Sequence, residues 1–131
     1  VNRIAKVTVA GKEYPLNASV RAIEIFDERY DGVENIQKAI RGGDGDEQIR
    51  TGKVLAEVCF ILSVLMEQGA RYTKLQSGEE ITVPPYDDLC VLVQASDLGA
   101  MQVSIYAAMN GGMGTTLEVE STEKNGEATQ G

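Results

Sequence analysis

The sequence predicts an α+β fold that is mainly α: an N-terminal β-hairpin followed by about five helices packed around one central apolar helix. Three observations carry this. Apolar and polar residues alternate through "NRIAKVTVAGKEYPL", the two-residue period of a half-buried strand. From Asn17 onward the spacing changes to that of a helix. A run from Val54 to Met66, "VLAEVCFILSVLM", is apolar almost throughout, as expected of a helix surrounded by other elements.

In the hairpin, Ile4, Val7 and Val9 sit among Arg3, Lys6 and Thr8, with a slip in phase near Ala5. Ala10-Gly11-Lys12 reads as the turn and Glu13 to Leu16 as the return strand. Pro15 has no N–H to donate, so that strand is an edge or ends there. Asn17 or Ser19 can cap the first helix, whose Val20, Ile23, Phe26 and Tyr30 are expected on one face. Asp31-Gly32 ends it. A second short helix turns Val33, Ile36 and Ile40 inward, and Arg41 to Gln48 reads as a flexible acidic loop.

Thr51 opens the longest helix, expected to end near Gly69. Tyr72 and Leu75 precede a turn at Gly78, with a short strand expected at Ile81 to Val83. Pro84-Pro85 suits a helix start, and Asp87 and Asp88 suit its positive end. That helix would carry Tyr86, Leu89, Leu92 and Val93. Asp97 is expected to cap a last helix with Leu98, Met101, Ile105 and Met109 along one face, stopped by "NGGMG", Asn110 to Gly114. Residues 1–114 read as one compact domain and 115–131 as an acidic, disordered tail.

Composition narrows the function. The net charge is −8, of which the segment from Glu118 onward, with four glutamates and one lysine, supplies −3. Such a chain repels phosphate backbones, so nucleic acid is not an expected partner. Cys59 and Cys90 fall in apolar runs and read as two buried free thiols in a reducing compartment, with a disulfide or metal role as the alternative. The chain opens directly on a strand pattern, and the Val54–Met66 run contains Glu57 and is too short for a bilayer. A soluble, cytoplasmic protein with no membrane partner is expected.

Histidine is absent, which removes the usual general base and the commonest zinc ligand. Gly52-Lys53 fails as a phosphate loop, since Glu47 stands where a glycine is needed and Val54 where Ser or Thr is needed. A dinucleotide fingerprint from Gly43 meets Gln48 in place of its last glycine. A calcium loop counted from Asp44 has Ile49 where the sharp turn needs glycine, one counted from Asp27 has Arg29 and Lys38 at ligand positions, and Asp44, Asp46 and Glu47 read as a solvated loop. The adjacent pairs Asp27/Glu28, Glu79/Glu80 and Asp87/Asp88 point in different directions on a helix and make poor dyads. No catalytic, metal or cofactor site is expected. Tyr72, Tyr86 and Tyr106 with Met101, Met109 and Met113 read as core packing or as a pliable contact surface.

The segment "VTVAGKEYPLNASVRAIEIFDERY" resembles the N-terminus of tail assembly chaperones from tailed phages and prophages of Gram-positive bacteria, which begin with a short "G-K-x-Y-P-L" hairpin and then a helix. "DLCVLVQASDLGAMQVSIYAAMNGG", Asp88 to Gly112, resembles their run of two helices that meet near an Asp-Leu pair and close on glycines. The resemblance spans roughly residues 3–112, and Arg41 to Pro85 carries no matching motif. It implies a non-enzymatic helical protein of the host cytoplasm. Such a protein binds the tape measure protein, keeps it soluble, assists tail tube subunits and does not remain in the virion. The tail tube protein and a second copy of the chain are further candidate partners. The candidate interaction face is Leu98, Met101, Ile105 and Met109, with Tyr86. In that family a frameshift often extends the short product, and Glu123-Lys124-Asn125 permits the slippery codons GAA AAA AAC. The alternatives are another phage assembly factor, such as a head–tail connector, a small helical adaptor, or an enzyme with a novel site.

Overall fold

The structure, a computed structural model, describes residues 5–41 and 51–113. Strands β1 (Ala5–Val9) and β2 (Lys12–Leu16) form a two-stranded antiparallel sheet with Val7 opposite Tyr14 and Val9 opposite Lys12. The turn is Ala10-Gly11 alone, both with positive φ (51° and 82°), so Lys12 already belongs to β2. Two such residues give the turn the twist that a tight hairpin needs. Val7, Val9, Tyr14 and Leu16 are buried, and Ala5 is in phase with Val7 and Val9. The apparent slip at Ala5 is therefore not a break in the strand. Ile4 lies outside the described residues.

Five helices follow: α1 (Val20–Tyr30), α2 (Ile36–Arg41), α3 (Thr51–Ser77), α4 (Tyr86–Leu92) and α5 (Leu98–Met113). Single 3₁₀ turns at Val33–Asn35 and Ala95–Asp97 lead into α2 and α5. Ser19 caps α1, its Oγ accepting from Ala22 N at 3.1 Å and its hydroxyl donating to Gln68 of α3. Asp31, in the left-handed region at φ 59°, closes the helix, followed by Gly32. Phe26 is fully buried and centres the inward face with Ala22. Val20, expected on that face, is 87% exposed. At 100° per residue it lies about 120° around the helix from Phe26, and Ala22 takes the inward position instead. Ile36 and Ile40 of α2 are fully buried, as the spacing predicts.

α3 is the axis of the molecule. It runs 27 residues, about 40 Å at the usual rise, and carries Val58, Ile61, Leu62, Leu65 and Met66 at 0% exposure. Ser63, the polar residue in this stretch, returns its hydroxyl to Phe60 O at 2.7 Å. The helix does not stop at Gly69. That glycine sits within it because β2 crosses there: a Cβ at Gly69 would lie 2.1 Å from Pro15 O. Asn17 N donates to Leu65 O at 3.1 Å at the same crossing. Gly112, near the end of α5, behaves alike. The helix continues through Asn110-Gly111-Gly112, and a Cβ at Gly112 would lie 2.5 Å from Ala18 O.

No strand forms at Ile81–Val83; among the described residues the sheet has two strands and gives this segment no partner. Ile81 and Val83 pack against the core without regular structure. Pro85 is the N-cap of α4, and Leu89 is the residue of that helix that reaches full burial. Asp97 does not cap α5. It closes the 3₁₀ turn instead, its Oδ2 accepting from Gln94 N at 2.8 Å. α5 packs on α3 and β1, and Gln102 Nε2 donates to Ile40 O at 2.6 Å, tying it to α2. The expected acidic loop beyond Arg41 and the tail beyond 113 lie outside the described residues.

The close crossing at Gly69 has a direct test. Gly69→Ala is expected to lose roughly 3 kcal/mol or more, the cost of overpacking against backbone that cannot yield. Gly52→Ala, with nothing within 4 Å of the new Cβ, is expected to be neutral or stabilising by up to about 1 kcal/mol. Urea denaturation of both variants measures the contrast.

Candidate functional site

Two places in the fold bring polar chemistry or uncovered apolar surface together. The first is built on Glu57, the one buried charged side chain among the described residues. Arg29 of α1 donates to both of its carboxylate oxygens, at 3.1 and 3.2 Å, and Tyr30 Oη donates at 2.6 Å. Lys53, one turn earlier on α3, donates at 3.1 Å. The Arg29 guanidinium also lies over the Phe60 ring, 4.0 Å from its centroid. Arg29, Tyr30, Ala39, Lys53 and Glu57 line an open cavity of about 330 Å³.

Burial acts to raise the Glu57 carboxyl, but hydrogen bonds from Arg29, Tyr30 and Lys53 together outweigh it and hold the group at about 2. Burial and the same carboxylate push the Tyr30 phenol up. An acid held ionised by three donors is a weak proton acceptor, and a raised phenol is a weak donor. The cluster is built to join α1 to α3. The sequence signal for it was the lone charge inside the Val54–Met66 run.

The second place is the outer surface of α4 and α5. Of the predicted interaction face, Met101, Ile105 and Met109 are 3%, 0% and 0% exposed, and Leu98 is half-buried against the core. That stripe is therefore core and not a free surface. Its large apolar side chains face the chain's own α3 and β1. Periodicity identifies such a stripe without identifying what covers it. Tyr106 is buried as well. Tyr86 stands apart from this group, 37% exposed on α4, with its ring edge-on to Phe60 at 6.3 Å between centroids.

The uncovered side of α5 is Gly99, Ala100, Val103, Ala107 and Gly111, all exposed. The helix holds no charged residue over its 16 positions. A helix with one side in water ordinarily carries Lys or Glu there; α5 carries small apolar residues. This absence of charge was legible in the sequence and is the signal the apolar stripe obscured. α4 adds Val91 at 74% and Leu92 at 39% exposure, beside Asp87 and Asp88. The path from α4 into α5 bends by 95°. No single helix among the described residues is long and apolar enough to cross a membrane. Cys90, expected to be buried, is exposed on α4, while Cys59 is buried on α3; both are free.

Two measurements check these assignments. Glu57→Gln is expected to lose about 2–4 kcal/mol at pH 7, the cost of leaving the partners of a buried ion pair unsatisfied. The Glu57 carboxyl is depressed in the folded state, so its contribution is complete above its ordinary value of 4.5 and disappears as pH falls toward about 2. Wild type and variant therefore converge in acid, as urea denaturation across that range would record. Ile105→Asp is expected to unfold the domain outright, read by circular dichroism. Comparison with protein-family models, curated proteins and solved structures finds no match for this chain.

Proposed function

We propose that this chain is a tail assembly chaperone of a tailed phage or prophage. On this reading it acts in the host cytoplasm, binds the tape measure protein, keeps it soluble while tail tube subunits assemble around it, and leaves the finished virion. The observation that carries the reading is α5: an uncharged helix whose buried side completes the core and whose outer side is small and apolar. Small side chains let a second helix approach closely, and a long helical partner presents matching apolar stripes to such a surface. The net charge of −8 keeps the loaded complex soluble. The resemblance of the hairpin and of the α4–α5 run to these chaperones points the same way. Val103 and Ala107 thus replace the buried methionines as the contact residues. Self-association through this side of α5 is the competing use of the same surface.

The test is co-expression with the tape measure protein of the same tail gene cluster. The expected result is a soluble complex that co-purifies. The double variant Val103→Glu, Ala107→Glu should lower recovery by about tenfold or more, since a charge buried at an interface goes uncompensated. Its own melting temperature should be unchanged. A tape measure protein that precipitates equally with and without this chain ends the chaperone reading. Detection of the chain in purified virions favours a connector instead. The gene sequence at Glu123-Lys124-Asn125 tests the frameshift: codons other than GAA AAA AAC remove it at this position.

A further inference from the structure

α4 rests on α3 through one buried leucine, the ring pair Tyr86–Phe60 and the Cys59 thiol. Leu89 is fully buried, and its carbonyl accepts from Cys59 Sγ at 3.8 Å. Cys90 is the next residue in α4, so its backbone adjoins the carbonyl that the Cys59 sulfur touches, and the two thiols are close enough for Cys90 to raise the Cys59 thiol. Tyr86, one turn earlier in α4, sets its ring edge-on to Phe60 of α3. Cys59 is 3% exposed and faces the core side of this contact, whereas Cys90 is exposed to solvent. One reachable thiol beside one sheltered thiol, on two different helices, is the arrangement of an attacking and a resolving cysteine.

We propose that Cys59 and Cys90 are a redox modification site, oxidised by a small disulfide of the glutathione type to a bond that staples α4 onto α3. The chemistry proceeds in two exchanges. Cys90 gives up its proton to solvent and its sulfur attacks one sulfur of the oxidised glutathione. The glutathione S–S bond breaks and one glutathione thiolate leaves and takes up a proton. Cys59 then gives up its proton and attacks the Cys90 sulfur of the mixed disulfide, expelling the second glutathione. Two protein thiols are oxidised and one glutathione disulfide is reduced to two thiols. Burial, with the neighbouring Cys90, raises the Cys59 thiol to about 11. This slows the second exchange and keeps Cys59 from reacting first. Its position beside Cys90 counters the slowing by raising the local concentration of the resolving thiol.

The bond would close a loop containing the irregular stretch from Gly78 to Pro85 and all of α4 up to Cys90. It would hold Val91 and Leu92, the exposed apolar residues of α4, in one place. The site does not depend on the partner's identity and stands or falls apart from the chaperone reading.

The experiment is intact-mass spectrometry of the full chain incubated with oxidised glutathione, followed by peptide mapping. The expected wild-type product has lost two hydrogens, carries no glutathione and yields a Cys59–Cys90 cross-linked peptide. Hydrogen exchange of the α4 amides is expected to slow at least about tenfold on oxidation. Cys59→Ala should accumulate a single glutathione adduct on Cys90, and Cys90→Ala should stay unmodified. Replacement of Cys59 disturbs the core, so the wild-type mass decides. Wild type that stops at a stable adduct, forms a Cys90–Cys90 dimer or remains fully reduced overturns the proposal.

Discussion

The fold depends on how closely one stretch of backbone is gripped. The segment from Pro15 to Ala18 passes from the hairpin into the first helix. It touches α3 at Gly69 and α5 at Gly112, at distances no side chain would tolerate. A glycine within a helix costs about 1 kcal/mol relative to alanine, and both helices accept that cost to admit this strand end. The grip places the hairpin across α3 and positions Ser19 to cap α1 and meet Gln68. It also brings the end of α5 beside the start of α1. The inward residues of every helix then have a common surface to meet, which is the apolar girdle of α3.

The Glu57 cluster supplies the second attachment. An apolar core is tolerant of small rotations between helices, because dispersion has little direction. A carboxylate held by three donors from two helices is not. Such clusters contribute less to net stability than their short distances suggest, because removing the charges from water is costly. Their value lies in specifying one arrangement. Here the arrangement is the rotation of α1 about α3, which also sets where Phe26 points.

Much of this was legible in the sequence. The hairpin, a cap for α1 at Asn17 or Ser19, the end of α1 at Asp31-Gly32 and the inward Ile36 and Ile40 each follow from local patterns that agree with the tertiary structure, which selects Ser19 for the cap. The failures share a cause. Gly69 and Gly112 looked like helix stops because glycine usually is one; only the neighbouring backbone shows that they are contact points. Val20 fitted a loose periodicity, but Phe26, the bulkier residue, set the centre of the face. The stripe of Met101, Ile105 and Met109 was found correctly and assigned to the wrong neighbour, since a pattern reveals an apolar face and not what lies against it. Cys90 sits in an apolar run, yet α4 is short and Leu89 alone supplies its deep anchor. Ile81–Val83 had strand-like residues and no strand to pair with. Glu57 was visible as an interruption, but its three partners come from contacts that sequence distance conceals.

The docking of α5 on β1 also bears on the order in which the protein is built. These two elements stand at opposite ends of the described chain, yet they share one core. A ribosome releases β1 early and α5 late, so α3 emerges with much of its apolar girdle uncovered and must wait for its final cover. Contacts between distant parts of a chain form slowly, and an exposed apolar intermediate invites association with its neighbours. Folding is thus completed only once α5 has emerged. During that interval the helix most in need of protection is the one around which everything else is later arranged.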